Sequence, residues 1–243
     1  MSKNYLGSRR RIPCLAAVLP IVAIAGLALL AGMGPAVAAG APTQLIYRVT
    51  HSVFGNIGTY INTIEPIGTG TMVMTSAHFE VKMLGVTMHR EDARRTERWE
   101  GNRLVSFDGV TDKGSGPKEV KGVARGNSFV ITSPLGTFSA PATVHPANPW
   151  SANFVGSSAM MRPDNGKVEP VRVSGGKPTA VTIDGSSVST RKYEIDGHDR
   201  YTVWIDSHGV PVKFEAPDDS GTVTFTLAKC VRCGLDGAQL GEK

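Results

Sequence analysis

Cys230-Val231-Arg232-Cys233 is the place in this sequence where residue type and spacing point most directly at chemistry. Two thiols three positions apart can close a disulfide, cycle as a redox pair, or supply half of a metal site. A redox pair needs its attacking thiol at a helix N-terminus, where the dipole lowers the thiol pKa. Here the pair follows the last of a series of alternating strands and precedes a Gly-rich tail. Haem attachment needs His after the second Cys, and Gly234 stands there. Structural zinc needs two further ligands at matching spacing, and the sequence has no second Cys pair and no His-x-His. A passive disulfide between Cys230 and Cys233, tying down the tail, is the leading expectation; a redox pair, metal and free thiols remain open.

The six histidines lie at 51, 78, 89, 145, 198 and 208, and no two share a ligand-like spacing of two to five residues. His78 and His89 flank Leu84-Gly85 symmetrically, so a hairpin there would bring them close, although a solvated hairpin face is the plainer reading. The run Arg90, Glu91, Asp92, Arg94, Arg95, Glu97, Arg98 offers carboxylates in numbers. General acid and base work needs two of them in contrasting environments, and every acid in this run has an arginine beside it. Cross-strand ion pairing is therefore its expected role. Ser-x-x-Lys occurs at Ser115, Ser174 and Ser189, in each case in a turn or strand rather than at the start of a helix, where that motif acts. No catalytic, metal or cofactor-binding residue is assigned, and no cofactor is expected.

The elements that would position these residues begin after a leader. Arg9-Arg10-Arg11, the apolar run Ile12 to Leu30 and Ala36-Val37-Ala38 form the three parts of a secretory signal, with cleavage expected after Ala38. A periplasmic or secreted location follows. The leader holds four of the 26 Lys and Arg residues and none of the 21 acids, so 26 less 4 leaves 22 against 21, a net charge of +1. That balance removes the basic stripe a nucleic-acid partner would require.

The remaining chain reads as strands. Leu45, Tyr47, Val49 and His51 alternate on one face of a first strand, and Val73, Thr75, Ala77, Phe79, Val81 and Met83 do so on a longer one. Short strands separated by Gly, Pro and Asn turns fill 103–140, as in a sandwich or barrel. The segment from His145 to Asp164, with three prolines, Trp150 and Phe154, breaks the rhythm. It reads as a loop, or a short helix from about Pro149 capped by Asn148, crossing one end of the sheet. A meander from Arg191 to Leu227 closes the domain, with Tyr201, Val203 and Ile205 opposite Thr202, Trp204 and Asp206. Met88 to Glu100 suits a helix by composition and a strand by its lack of an apolar helical stripe; the Leu84-Gly85 turn favours a long hairpin. The expected division is 1–38 leader, 39–229 a single all-β domain, and 230–243 a tail.

Glu97-Arg98-Trp99-Glu100-Gly101-Asn102-Arg103-Leu104-Val105, Thr111, Gly114, the crossing from Pro146 to Trp150, and Tyr-x-x-Trp-x-Asp-x-x-Gly-x-Pro-Val from Tyr201 to Val212 resemble domain of unknown function 6134, a family of exported bacterial proteins. The chain more distantly resembles domain of unknown function 3108. The resemblance implies a large curved antiparallel sheet, a half-barrel or open barrel like that of periplasmic lipoprotein carriers, and makes Met88 to Glu100 a strand. It carries over no catalytic residue. An all-β, curved meander lined by Phe, Val, Met and Tyr is expected to bind or carry a hydrophobic or lipid-like ligand. Phe79, Trp150 and Trp204 are the expected lining residues, with peripheral contact to the envelope; a ligand-free envelope scaffold and a thiol-redox module are the alternatives.

Overall fold

Alternation of apolar and polar residues organises the computed structural model, which describes residues 41–233. The leader with its cleavage position at Ala38, and the tail after Cys233, lie outside the described residues. Eight strands come first: β1 (Thr43–His51), β2 (Gly55–Ile67), β3 (Gly70–Met83), β4 (Val86–Glu100), β5 (Arg103–Asp112), β6 (Pro117–Arg125), β7 (Ser128–Ser133) and β8 (Gly136–Pro141). A crossing segment with three short strands follows, β9 (His145–Pro146), β10 (Ala159–Met161) and β11 (Val168–Pro170). Five more strands end the domain, namely β12 (Arg172–Ile183), β13 (Ser186–Asp196), β14 (Arg200–Asp206), β15 (Pro211–Asp218) and β16 (Gly221–Val231).

Thirteen of these form one antiparallel sheet in the order β12-β13-β14-β15-β16-β1-β2-β3-β4-β5-β6-β7-β8, and β9 to β11 form a small second sheet. The large sheet is therefore two meanders joined by the pairing of β1 with β16. Its end strands β8 and β12 do not pair, so it stays open.

One face of the sheet is buried along nearly every strand, and the aromatic contacts on it show how tightly the sheet rolls. β16 and β3 are separated by β1 and β2, a flat spacing of about 14 Å at roughly 4.8 Å per strand, yet the rings of Phe225 and Phe79 lie 6.0 Å apart. Tyr60 on β2 likewise meets Phe214 on β15 at 6.0 Å. Roll and burial together make two cores. Tyr47, Tyr60, Phe214 and Phe225 anchor one, and Trp99, Phe107, Phe129 and Ile131 the other. Each aromatic removed from water contributes on the order of 2–3 kcal/mol. The crossing segment serves both, because successive residues of β10 point oppositely: Met160 packs in the first core and Met161 in the second.

Met88 to Glu100 is strand throughout. Of the two readings of the crossing segment, a loop or a short helix from Pro149, the structure has the loop. It holds a single 3-10 turn at Ala152–Phe154, capped by the Ser151 hydroxyl, which accepts from the Asn153 amide at 3.2 Å. Asn148 does not cap it, because its amide is engaged inside the sheet. The last strand also runs further than expected: Cys230 is still within β16, opposite Leu45, because β1 begins early enough to pair with it. Cys230 and Cys233 are joined by a disulfide, with Cα atoms 5.8 Å apart.

Candidate functional site

The turns β1–β2, β3–β4 and β15–β16 all leave the sheet at the same end, and between them opens a cleft of about 670 Å³. Its apolar lining comes from Ile57, Phe79, Val81, Met88 and Val223; its charged lining is Lys113 and Arg162 with Glu91, Asp199, Asp218 and Asp219. These cations belong to a chain of ion pairs. Lys113 Nζ lies 3.4 Å from Glu91 Oε2 and 2.9 Å from Asp164 Oδ2. Arg162 approaches Asp164 and, through Nη1, Asp199 at 3.5 Å. The chain ties the crossing segment to β4 and β5 on one side and to the β13–β14 turn on the other. Partial burial works against both charges, but the Lys113 ammonium beside Asp164 holds its carboxyl below the usual carboxylate range.

His51 sits at the edge of this cleft, its ring 4.8 Å from that of Phe54. Its Nδ1 accepts from the Val53 amide at 3.0 Å. In the neutral ring this places the proton on Nε2, which faces Asp218 Oδ1 at 3.5 Å and Ser220 Oγ at 3.4 Å. That nitrogen already carries its proton, so it is no base for the Ser220 hydroxyl, which donates to Asp218 at 2.8 Å. The trio is a turn lock rather than a nucleophile relay.

A second polar cluster is wholly interior. Glu97, on β4, has no solvent exposure. Trp99 Nε1 donates to its Oε2 at 2.9 Å, and Asn148 Nδ2 to its Oε1 at 2.8 Å. The Asn148 carbonyl accepts from Tyr60 OH at 2.7 Å and Asn62 Nδ2 at 3.1 Å, and Thr75 Oγ1 donates to Asn62 at 2.8 Å. Burial pushes the Glu97 carboxyl up to about 7 against the pull of these donors and of Arg95. Strand alternation explains why a residue from the charged run is here: Ala93, Arg95, Glu97 and Trp99 share the inward face. The expectation of cross-strand ion pairing is met by Asp92 with His78 at 2.7 Å, while Arg90 reaches Asp92, also at 2.7 Å, along its own strand. Buried Arg95 approaches Glu91 of its own strand at 3.7 Å, and the expectation fails for Glu97, whose partners are Trp99 and Asn148. The Glu-x-Trp spacing was the available signal, since it puts a carboxyl on the same face as a core indole.

Of the expected lining residues, Phe79 is at the cleft. Trp150 is not, because it packs edge-on against Trp99 at 5.9 Å in the second core. Trp204 lies on the outward face of β14 between Lys213, at 4.7 Å from the ring centre, and Lys192, at 5.8 Å; Val203 and Ile205 take the inward positions. His78 and His89 do not meet. His78 pairs with Asp92 outside, whereas His89 is opposite Val81 and lines the cleft. Among the described residues no group of three His, Cys, Asp or Glu side chains could hold a metal ion.

The enclosed space inside the roll is small. One cavity of about 80 Å³ lies under the crossing segment, lined by Asn148, Phe154, Met160 and Phe214 among others. Ligand pockets ordinarily measure roughly 300–1,000 Å³, so the open-ended cleft has ligand dimensions and this cavity does not.

The fold is similar to the crystal structure of a β-barrel-like protein of domain of unknown function DUF1849 from Brucella abortus. The TM-score is 0.60 at 12% sequence identity, covering 79% of this chain and 97% of that one. No curated protein matches the sequence. The model of domain of unknown function DUF6134 matches residues 47–228, and the chain belongs to that family.

Proposed function

We propose that this protein is an exported binding protein for an amphipathic, lipid-like molecule, seated in the cleft at the open end of the sheet. The observation that carries the reading is an apolar floor in a space of about 670 Å³ whose rim mixes Lys113 and Arg162 with Glu91, Asp199, Asp218 and Asp219. A hydrocarbon portion suits Ile57, Phe79, Val81 and Val223, and a polar head that offers both donors and acceptors suits a rim of two cations and four carboxylates. The ligand lies across the end of the roll, since the interior is filled by side chains.

The test is native mass spectrometry of protein recovered from the periplasm of cells expressing the chain with its leader, followed by organic extraction. A near-stoichiometric amphiphile on the wild type, lost in Val223→Asp, is expected; circular dichroism confirms that the variant keeps its sheet. A bare wild-type mass overturns the reading. It would favour a ligand-free scaffold, to which the close filling of both cores lends support.

A further inference from the structure

The β3–β4 hairpin stands free of the sheet. The last β3 residue paired with β2 is Phe79, opposite Gly58, and the first β4 residue paired with β5 is Asp92, opposite Asp112. Residues 80–91 therefore pair only with each other; Val81 still packs in the first core, and the arm that stands clear runs from Lys82 to Arg90. Residues 82–90 are exposed on both faces.

The tip of this arm is apolar. Leu84 is 99% exposed, Met88 63%, Val86 61% and Met83 49%. Leu84 also occupies a left-handed backbone position, φ +50°, as the first residue of a two-residue turn with Gly85. A turn with positive φ at both residues favours Asn or Gly at the first position. Leucine there satisfies neither the backbone nor the hydrophobic effect. Behind the tip come Lys82, His89 and Arg90, and no acid occurs from Val81 to Arg90; Glu80, which pairs with Lys82, stands opposite Arg90, and Asp92, which pairs with Arg90, lies two residues further back. Val53 and Phe54, in the β1–β2 turn at the same end, add two more exposed apolar side chains.

We infer that this end of the protein docks on a lipid bilayer, with the β3–β4 tip inserted into the headgroup region. The exposed apolar residues from the Leu84 turn back through the Met83–Val86 pair to Met88 span about 7 Å at roughly 3.3 Å per residue, within the roughly 5–10 Å to which interfacial apolar faces penetrate. Lys82, opposite Thr87, can extend its ammonium from within this depth to the phosphates, and His89 and Arg90 follow behind. Met88 belongs both to the exposed tip and to the lining of the cleft, so the docked arm sets the cleft mouth against the membrane. This last point rests on the proposed function; the docking itself does not.

The test is flotation of the ligand-stripped protein with vesicles of phosphatidylcholine containing a minority of phosphatidylglycerol. The variant L84N/V86T/M88K gives the turn its favoured Asn-Gly and keeps a β-branched residue in the strand, so it retains the fold with an unchanged or higher melting temperature. It is expected to bind vesicles about tenfold more weakly or worse, since insertion scales with buried apolar area. Equal binding by this variant, or a wild type that does not float with vesicles, overturns the inference. Capture of an envelope protein through Leu84 without vesicle binding does so as well, by identifying a protein partner. Val223→Asp separates the two proposals, because it empties the cleft while leaving flotation unchanged. Leu84-dependent flotation with a cleft empty in every form removes the proposed function and leaves this inference standing.

Discussion

Asn148 Nδ2 donates to Glu97 Oε1 at 2.8 Å while the Asn148 carbonyl accepts from Tyr60 OH at 2.7 Å. One side chain of the crossing segment thus satisfies groups from β2 and β4 that the sheet itself leaves without partners. Removing it strands several buried polar atoms at once. Asn148→Ala is expected to lower the free energy of unfolding by about 3 kcal/mol, the upper end for leaving buried partners unsatisfied. Urea denaturation measures it, and a loss below about 1 kcal/mol would show that the segment is held by Phe154, Met160 and Met161 instead.

Glu97 makes stability depend on pH in an unusual direction. Its folded carboxyl titrates near 7 against an ordinary 4.5, so between those values the folded state holds a proton that the unfolded chain has released. Stability from this group is therefore greatest below 4.5, declines as pH rises to about 7, and is flat above. The whole change amounts to about 3 kcal/mol at 1.36 kcal/mol per unit. Glu97→Gln should abolish that slope, which thermal melts at a series of pH values would show as the difference between the two proteins. Parallel curves would place the titration elsewhere.

The disulfide spans only two intervening residues, so it removes little freedom from the unfolded chain. Replacing both Cys230 and Cys233 by Ser should cost about 2 kcal/mol or less on loop-entropy grounds. The intact protein should weigh two hydrogens less than its reduced form. Labelling of both thiols in unreduced protein recovered from the periplasm would contradict the bond.

Gly122 on β6 lies beneath the ring of Phe129 on β7, where a Cβ would enter the space of the ring carbons. Gly122→Ala forces that ring off its place in the second core and is expected to destabilise by about 1–3 kcal/mol. Gly126→Ala is a poor control because its φ is +53°. The paired variant Gly122→Ala/Phe129→Leu should recover part of the loss, and no recovery would assign the cost to the backbone.

How far the fold could be read in advance followed from alternation. His51 with Leu45, Tyr47 and Val49, and Thr75 with Val73 and Ala77, are buried as a period of two requires. The same rule, carried through the charged run, would have placed Arg95 and Glu97 beside Trp99. Charge density concealed this, because seven charged residues in nine positions resemble a solvated face. Alternation puts Trp204 opposite Val203 and Ile205 on β14, but which of the two faces looks inward depends on Val203 and Phe214, a cross-strand pair. The role of Asn148 was illegible for another reason: its partners are 51 to 88 residues away and meet it only once the sheet has rolled. The cleft is likewise a product of turns from distant strands converging at one end.

The pairing of the first strand with the last has a consequence for how the molecule is made. Tyr47 lies opposite Leu227, so one edge of β1 has no native neighbour until almost the whole polypeptide has been synthesised. Until then β1 presents an open row of amides and carbonyls, the kind of edge that recruits strands from other chains, and closure waits on a contact of very long sequence separation, which slows folding. A chain ending before β16 would keep the β1–β8 meander but never cover that edge. Nascent and truncated forms are thus the ones most exposed to aggregation, and a chaperone that shields β1 would act at the most vulnerable stage of the protein's life.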